Sequence, residues 1–260
     1  MKVAFVTGSN KGIGFGIVEK LARLYNPTGE WDIFLTARND ELGKKSCEEL
    51  KSKGLDVKFH QLDITDTESR KRFLEYMKTN YPNGINVAVN NAAIAYHHDS
   101  TAPFSEQARV TIHTNFTCTL DFTIEFIPLL ARDARVVNVS SKVSLMMFPK
   151  MSNELYARIT SPLTLEELRT TIEGFVKYAE AGEHSKHGWP TSAYGVSKVG
   201  LTKASFILGE MLKSDPRNIV MNSCGNSNDS AQETEKSAKR TCSITSETVS
   251  CLELARLIGL

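Results

Sequence analysis

Thr7-Gly8-Ser9-Asn10-Lys11-Gly12-Ile13-Gly14 follows the apolar run Val3-Ala4-Phe5-Val6 and opens the periodic stretch Ile13–Leu24. A strand that enters a glycine-rich turn and leaves as a helix is the first unit of a dinucleotide-binding α/β fold. Gly8 suits the tight turn, Gly12 lets the backbone approach a pyrophosphate, and Gly14 lets the helix pack closely on its strand. The first N–H groups of the helix have no partner within it and point at the phosphates. Gly8, Asn10, Lys11, Gly12, Ile13 and Gly14 are therefore the expected phosphate loop.

Outward from this unit, short β-branched runs alternate with longer helical patterns. Val3–Val6, Ile33–Leu35, Val57–Leu62, Ile85–Val89, Arg135–Val139 and Asn218–Met221 read as strands, several of them apolar on both faces. Ile13–Leu24, Glu41–Lys53, Glu68–Asn80, Glu106–Leu130 and Ala193–Lys213 read as helices. Repeated β-α-β order predicts a Rossmann-type, doubly wound parallel sheet. Two segments break the rhythm. Lys142–Pro190 fills a place where a short loop suffices, and Thr164 with Glu167 forms a capping box for a helix over Thr164–Ala181. Asn226–Ser250 is rich in Ser, Thr, Lys and Glu, and only Cys251–Leu260 recovers an apolar pattern. The expected division is one dinucleotide-binding domain over 1–224, with a helical insertion at about 142–190, and a divergent, flexible tail over 225–260.

Composition narrows the classes of function. Among 260 residues, 31 are Lys or Arg and 30 are Asp or Glu, a formal charge of +1. That balance argues against nucleic acid or a membrane surface as partner. No apolar run has the length of a membrane span, and Met1–Thr7 runs directly into a strand with no signal-peptide pattern. The five cysteines are scattered without a CxxC, which reads as reduced thiols in a cytoplasmic protein. Cys47 and Cys118 read as small buried apolar residues.

Five further signals carry chemistry. Arg38 ends the second strand run where NAD sites place an acid for the ribose 2′-hydroxyl, so Arg38 and Lys11 together favour a 2′-phosphate, hence NADP(H). Tyr194 and Lys198 are four apart on a helix and project from one face, an arrangement in which the lysine lowers the phenol pKa. Ser141 stands at the carboxyl end of a parallel strand, where such sheets bind ligands. Asn90-Asn91-Ala92-Ala93 follows the fourth strand run, and Asn115 interrupts an apolar helical stretch as a buried hydrogen-bonding hub. Ala95, Tyr96 and His97 border the substrate mouth, and the His97-His98 pair has no third ligand nearby, so no metal site is expected.

Thr7-Gly8-x-x-x-Gly12-x-Gly14, Asn90-Asn91-Ala92, Asn115, Ser141 and Tyr194-x-x-x-Lys198, in this order, resemble the short-chain dehydrogenase/reductase family over about residues 2–224. Leu35-Thr36-Ala37-Arg38, Phe59-His60-Gln61-Leu62-Asp63-Ile64 and Gly188-Trp189-Pro190-Thr191-Ser192-Ala193-Tyr194-Gly195 are similar to its NADPH-dependent carbonyl reductases. The long interval between Ser141 and Tyr194 matches their helical insertion, which implies a monomer. The resemblance implies Tyr194 as general acid, Lys198 as its modulator and a holder of the nicotinamide ribose, Ser141 as the group orienting the substrate carbonyl, and Asn115 in a proton relay. It implies Asp63 and Ile64 at the adenine and Asn91 in the cofactor cleft. The reaction implied is hydride transfer from NADPH to quinones, ketones or aldehydes, giving hydroquinones or alcohols.

The sequence departs from the family at two places. Ala93 stands where the family usually has glycine, and Gly225-Asn226 stands where it continues into a Pro-Gly pair and a nicotinamide clamp. The second departure keeps two other readings open: an NADP(H)-binding variant impaired in turnover, and an alcohol or steroid dehydrogenase working oxidatively.

Overall fold

A computed structural model describes residues 1–97 and 99–226. The expected flexibility of 227–260, the terminal helical pattern and His98 lie outside the described residues. Among the described residues six strands form, β1 (Lys2–Val6), β2 (Trp31–Ala37), β3 (Lys58–Gln61), β4 (Ile85–Asn90), β5 (Leu130–Ser141) and β6 (Val220–Asn226). All pair in parallel, in the order β3-β2-β1-β4-β5-β6. The helices α1 (Gly12–Tyr25), α2 (Asp40–Ser52), α3 (Thr67–Asn80), α4 (Phe104–Ile112) and α5 (Thr119–Phe126) connect them. Between β5 and β6 come α6 (Val143–Met147), α7 (Asn153–Thr160), α8 (Leu165–Glu180) and α9 (Ala193–Leu212). The doubly wound parallel sheet is as expected.

The alternation of strand side chains divides the core into two layers. Ala4, Val6, Ile33, Leu35, Val137 and Val139 face Ile17, Val18, Leu21 and Leu50 on one side of the sheet. Val3, Phe5, Phe34, Ala88 and Val136 face Phe73, Met77, Phe122 and Phe126 on the other. A third cluster joins the insertion to the body: Leu168, Ile172, Phe175 and Trp189 pack with Ala108, Phe116 and Val196. The Trp189 ring lies 5.3 Å from that of Phe175.

The insertion helix forms as its sequence dictates. The Thr164 N–H donates to Glu167 Oε2 at 2.8 Å, and the Glu167 N–H donates to Thr164 Oγ1 at 3.2 Å. Both arms of the capping box are thus made. Arg169 pairs with Asp121 of α5, which fastens α8 across it.

Two elements differ from expectation. The stretch Glu106–Leu130 is not one helix: a π-helical turn, His113–Cys118, separates α4 from α5, and Leu130 already belongs to β5. The cause is Asn115, whose amide leaves the helix to bond the backbone of Ile94. The last strand also runs further than Asn218–Met221. Gly225 and Asn226, expected in the tail, pair with Ser140 and Ser141. Pairing along β5 and contact with α9 hold this strand, without any local β-branched run at its end.

Candidate active site

The strand order reverses between β1 and β4, so their carboxyl ends open a crevice at the top of the sheet. The glycine loop rises from β1 into this crevice. Gly8 has φ +60°, and a Cβ there would lie 2.8 Å from Ala92 Cα. Gly14 admits no Cβ either, because Asn91 Nδ2 would lie 2.4 Å from it. Gly12 is different: it has φ +59°, and a Cβ would meet nothing within 4 Å. The loop is thus packed against the protein at Gly8 and Gly14 and open at Gly12. Lys11 caps α1 through extended backbone without a side-chain hydrogen bond, which leaves the helix N-terminus available to an anion. An open glycine cradle before an uncapped helix fits a dinucleotide pyrophosphate.

Three residues hold the loop in shape. Asn91 Nδ2 donates to Thr7 O at 2.9 Å and Gly8 O at 3.0 Å. Thr7 Oγ1 accepts from the N–H groups of Asn91 and Ala92, each at 2.9 Å. Ser9 is fully buried and donates to Val6 O at 2.7 Å while accepting from the Thr36 N–H at 3.0 Å. The amide of Asn91 therefore shapes the phosphate loop. Asn10 belongs to the same scaffold, its carbonyl accepting from Ser46 Oγ at 2.8 Å. Ile13 is exposed beside Lys11.

Lys11 and Arg38 are both exposed, and neither forms an ion pair among the described residues. Arg38 directly follows β2, the strand next to β1 on the adenosine side of the crevice. Asp63 follows β3 and spends Oδ1 on the N–H and hydroxyl of Thr65, at 2.9 and 2.7 Å. The Ile64 side chain is buried in the lower core with Phe73 and Val3, so only its backbone is available to a base.

On the other side of the crevice stand Ser141, Tyr194 and Lys198. Ser141 ends β5 and is nearly buried. Its hydroxyl accepts from the Val143 N–H at 3.2 Å. Ser192 caps α9, accepting from the Gly195 N–H at 3.1 Å, and so presents Tyr194 in the first turn. Lys198 is only 2% exposed, and its ammonium donates to Val139 O at 2.8 Å. It also sits 5.6 Å from the centre of the Tyr194 ring. Burial pushes the Lys198 pKa down to about 8, while Cys224 pulls weakly the other way. Burial also raises the Tyr194 phenol, against a downward pull from its hydrogen bond with Ser141. The spacing of Tyr194 and Lys198 predicts that the lysine lowers the phenol. Here the lysine is held by Val139, and the downward pull comes from Ser141.

Asn115 reaches the same region from the π-helical turn. Its Oδ1 accepts from the Ile94 N–H at 2.8 Å, and its Nδ2 donates to Ile94 O at 2.8 Å and Ser197 Oγ at 3.1 Å. Ser197 Oγ in turn donates a hydrogen bond to the backbone carbonyl of Tyr194 at 2.7 Å. Asn115 is thus the expected buried hub, joined to α9 through Ser197. Sequence reasoning passed over Ser197, although it sits between Tyr194 and Lys198. The same bonds root the loop that carries Ala95, Tyr96 and His97. Ala95 and His97 are exposed, His97 pairs with Asp99, and the Tyr96 hydroxyl donates to Glu106 Oε1 at 3.3 Å.

Among the described residues no cluster of His, Cys, Asp or Glu could hold a metal ion, and no helix is long and apolar enough to cross a membrane. Cys118 is buried and Cys47 half-buried, with burial raising each thiol to about 11.

Comparison with known proteins identifies the family. A family model described as short chain dehydrogenase matches residues 2–156. The chain is 42% identical over 225 residues to carbonyl reductase (NADPH) 1 of Rattus norvegicus, covering 85% of this chain and 79% of that protein. Its counterpart in Homo sapiens is 42% identical over 227 residues, with the same coverage. Among solved structures, menthone neomenthol reductase from Mentha piperita superposes with a TM-score of 0.74 at 26% identity, over 86% of this chain and 89% of that one. The parallel sheet agrees with these matches, and the chain belongs to the short chain dehydrogenase family.

Proposed function

We propose that this protein reduces carbonyl compounds with NADPH: quinones to hydroquinones, and ketones and aldehydes to alcohols. The observation that carries the reading is the grouping of Ser141, Tyr194 and buried Lys198 across the crevice from an open glycine loop. The carbonyl reductases at 42% identity over most of the chain support the same chemistry and the same cofactor.

Gly8, Asn10, Lys11, Gly12, Ile13 and Gly14 cradle the pyrophosphate, with the α1 N-terminus supplying N–H groups. Arg38 and Lys11 hold the 2′-phosphate, a contact suited to a planar guanidinium. Asp63 and the backbone of Ile64 meet the adenine, and Asn91 keeps the loop in register. Bound NADPH supplies the hydride. Ser141 and Tyr194 both point hydroxyls at the carbonyl oxygen. Ser141 orients it, and Tyr194, kept protonated at neutral pH by its raised pKa, donates the proton as negative charge grows there. Lys198 holds the nicotinamide ribose and keeps a positive charge near the Tyr194 ring, which stabilises the phenolate left when the proton is given up. Asn115, through Ser197, fixes the first turn of α9 and takes part in the proton path to solvent. Ala95, Tyr96 and His97 border the substrate. The packing of α8 over α4 and α9 supports a monomer, and the scattered cysteines without a CxxC favour a cytoplasmic setting.

The test is NADPH oxidation by the whole chain with menadione, beside Tyr194→Phe. Turnover that falls by about a hundredfold or more in the variant, in line with the usual contribution of general acid catalysis, is expected. Full turnover in Tyr194→Phe overturns the mechanism. Gly225-Asn226, in place of the family's Pro-Gly, keeps a second reading alive, that of an NADP(H)-binding protein without turnover. Tight NADPH binding with no turnover on quinones, aldehydes or ketones selects it. Turnover only of alcohols with NADP selects an oxidative dehydrogenase.

A further inference from the structure

Four groups of the proposed site come from three elements, Ser141 from β5, Tyr194 and Lys198 from α9, and Asn115 from the π-helical turn; that turn, and the helix α6 that follows β5, each meet α9 at a glycine. Successive residues of an α-helix are about 100° apart. Tyr194 and Lys198 therefore share one face of α9, while Gly195 lies on its flank, about 80° from its centre, and Gly200 about 140° round the other way, toward the back of the helix. At Gly195 a Cβ would fall 2.3 Å from Met147 Sδ and 2.7 Å from Met147 Cγ. It would also fall 2.9 Å from Ser192 Oγ, the cap of the helix. At Gly200 a Cβ would fall 2.8 Å from Phe116 Cδ2 and 3.2 Å from Ile172 Cγ1. Gly209, the remaining glycine of α9, makes a useful contrast. A Cβ there would meet only Met221 O, at an ordinary 3.7 Å.

Each close approach is linked to one group of the site. Met147 ends α6, and α6 starts by gripping Ser141: Ser144 Oγ donates to Ser141 O at 2.7 Å, and the Val143 N–H donates to Ser141 Oγ at 3.2 Å. Phe116 is the neighbour of Asn115 in the π-helical turn and is fully buried, so its ring has nowhere to withdraw. We infer that Gly195 and Gly200 are positioning residues, two notches in the catalytic helix, one on the flank of the Tyr194/Lys198 face and one behind it. Seating Met147 and Phe116 in them sets Ser141 and Asn115 at their working distances from Tyr194 and Lys198. This rests on the catalytic reading given above and adds to it what determines the spacing of its parts.

The test uses the full chain and the variants Gly195→Ala, Gly200→Ala and Gly209→Ala. The readouts are NADPH affinity by fluorescence titration, melting temperature, menadione reduction, and the pH dependence of alcohol oxidation with NADP. Gly195→Ala and Gly200→Ala are expected to lose tenfold or more in kcat with NADPH affinity held within twofold, and Gly209→Ala to keep wild-type kinetics. In Gly195→Ala, displacing Ser141 removes the hydrogen bond that lowers the phenol. Its ascending limb in the oxidative direction therefore moves to higher pH, while that of Gly200→Ala stays. Adding Met147→Ala to Gly195→Ala makes room for the methyl group and recovers part of kcat.

Wild-type kcat in both glycine variants overturns the inference. So does a loss of kcat that only tracks falling melting temperature and NADPH affinity. If Gly195→Ala does not fold, Met147→Ala alone empties the notch and is expected to raise the same limb, and an unmoved limb overturns the inference. Tyr194→Phe separates the two levels of argument. Full turnover there overturns the catalytic reading and this inference with it. Lost turnover there, beside unchanged kinetics in both glycine variants, overturns the notches alone.

Discussion

Lys198 shows how one buried side chain ties chemistry to stability. Its ammonium is held at Val139 O under the end of β5, and burial lowers its pKa from 10.5 to about 8. The unfolded chain keeps this proton up to the ordinary lysine range, whereas the folded protein releases it from about pH 8. Between these values the unfolded state binds more protons, so stability rises with pH, by at most about 1.4 kcal/mol per pH unit. Cys47 and Cys118 act in the opposite sense from about pH 9, because their thiols are raised to about 11. The window in which the lysine dominates is therefore pH 8 to 9. Urea denaturation is expected to show the wild type gaining stability across that window and Lys198→Met gaining less. Equal slopes would remove the buried-cation account. If Lys198 acts charged, as proposed, the same ionisation is expected to give an alkaline limb near pH 8 in kcat/KM for reduction, and a profile flat through pH 9 would overturn that role. At the opposite end of the crevice, Arg38→Asp is expected to exchange a cation for the acid that reads a 2′-hydroxyl. The ratio of kcat/KM for NADPH over NADH should fall by tenfold or more, and an unchanged ratio would move the 2′-phosphate away from Arg38. Tyr194, Lys198, Ser141 and Arg38 were legible in the sequence because each is marked by residue type at a fixed offset from a strand or helix. The carbonyl that holds Lys198 was not legible, because Val139 contributes only backbone and is brought there by the pairing of β5.

At the scale of elements, legibility followed whether the deciding interaction was local. The insertion helix α8 was readable because both arms of its capping box lie within four residues, Thr164 to Glu167. The break between α4 and α5 was not, because Asn115 bonds Ile94, which belongs to a loop leaving a different strand. An apolar periodic stretch over Glu106–Leu130 gives no hint of that partner. The last strand was shortened for a similar reason: Ser223-Cys224-Gly225-Asn226 has little β propensity, and only pairing along β5 draws it out. The docking of α8 gives a prediction at this scale. Phe175 is fully buried, 5.3 Å from the Trp189 ring and 6.0 Å from that of Phe104. Phe175→Ala is expected to cost about 3–5 kcal/mol in the cluster it leaves. Hydrogen exchange should quicken first in α8 and the turn before Trp189, with β1 and β2 amides keeping their protection. Uniform loss of protection over all elements would mean that the insertion and the sheet open as one unit.

Across the whole molecule the site depends on the sheet having two covered faces. β1 lies between β2 and β4, and its alternate residues enter both core layers, Ala4 and Val6 above, Val3 and Phe5 below. Phe5 has the rings of Phe73, Phe126 and Phe122 around it at 5.1, 5.5 and 5.9 Å. Only Val6 separates it from Thr7, where the phosphate loop begins. Phe5→Ala is expected to lower the global stability by about 3–5 kcal/mol through the cavity it leaves. The loop itself is fixed by other bonds, from Asn91, Thr7 and Ser9 to backbone on β1, β2 and the turn after β4. Those bonds do not involve the ring. NADPH at a hundred times its dissociation constant stabilises a protein that binds it only when folded by about 2.7 kcal/mol. Phe5→Ala should therefore gain the same increment from NADPH, at a matched multiple of the dissociation constant, as the wild type, and its dissociation constant should be unchanged. Denaturation with and without NADPH measures both. A weakened dissociation constant in Phe5→Ala would mean that the lower core transmits to the loop through β1, and that the glycine cradle owes its shape to the aromatic cluster beneath the sheet as well as to Asn91.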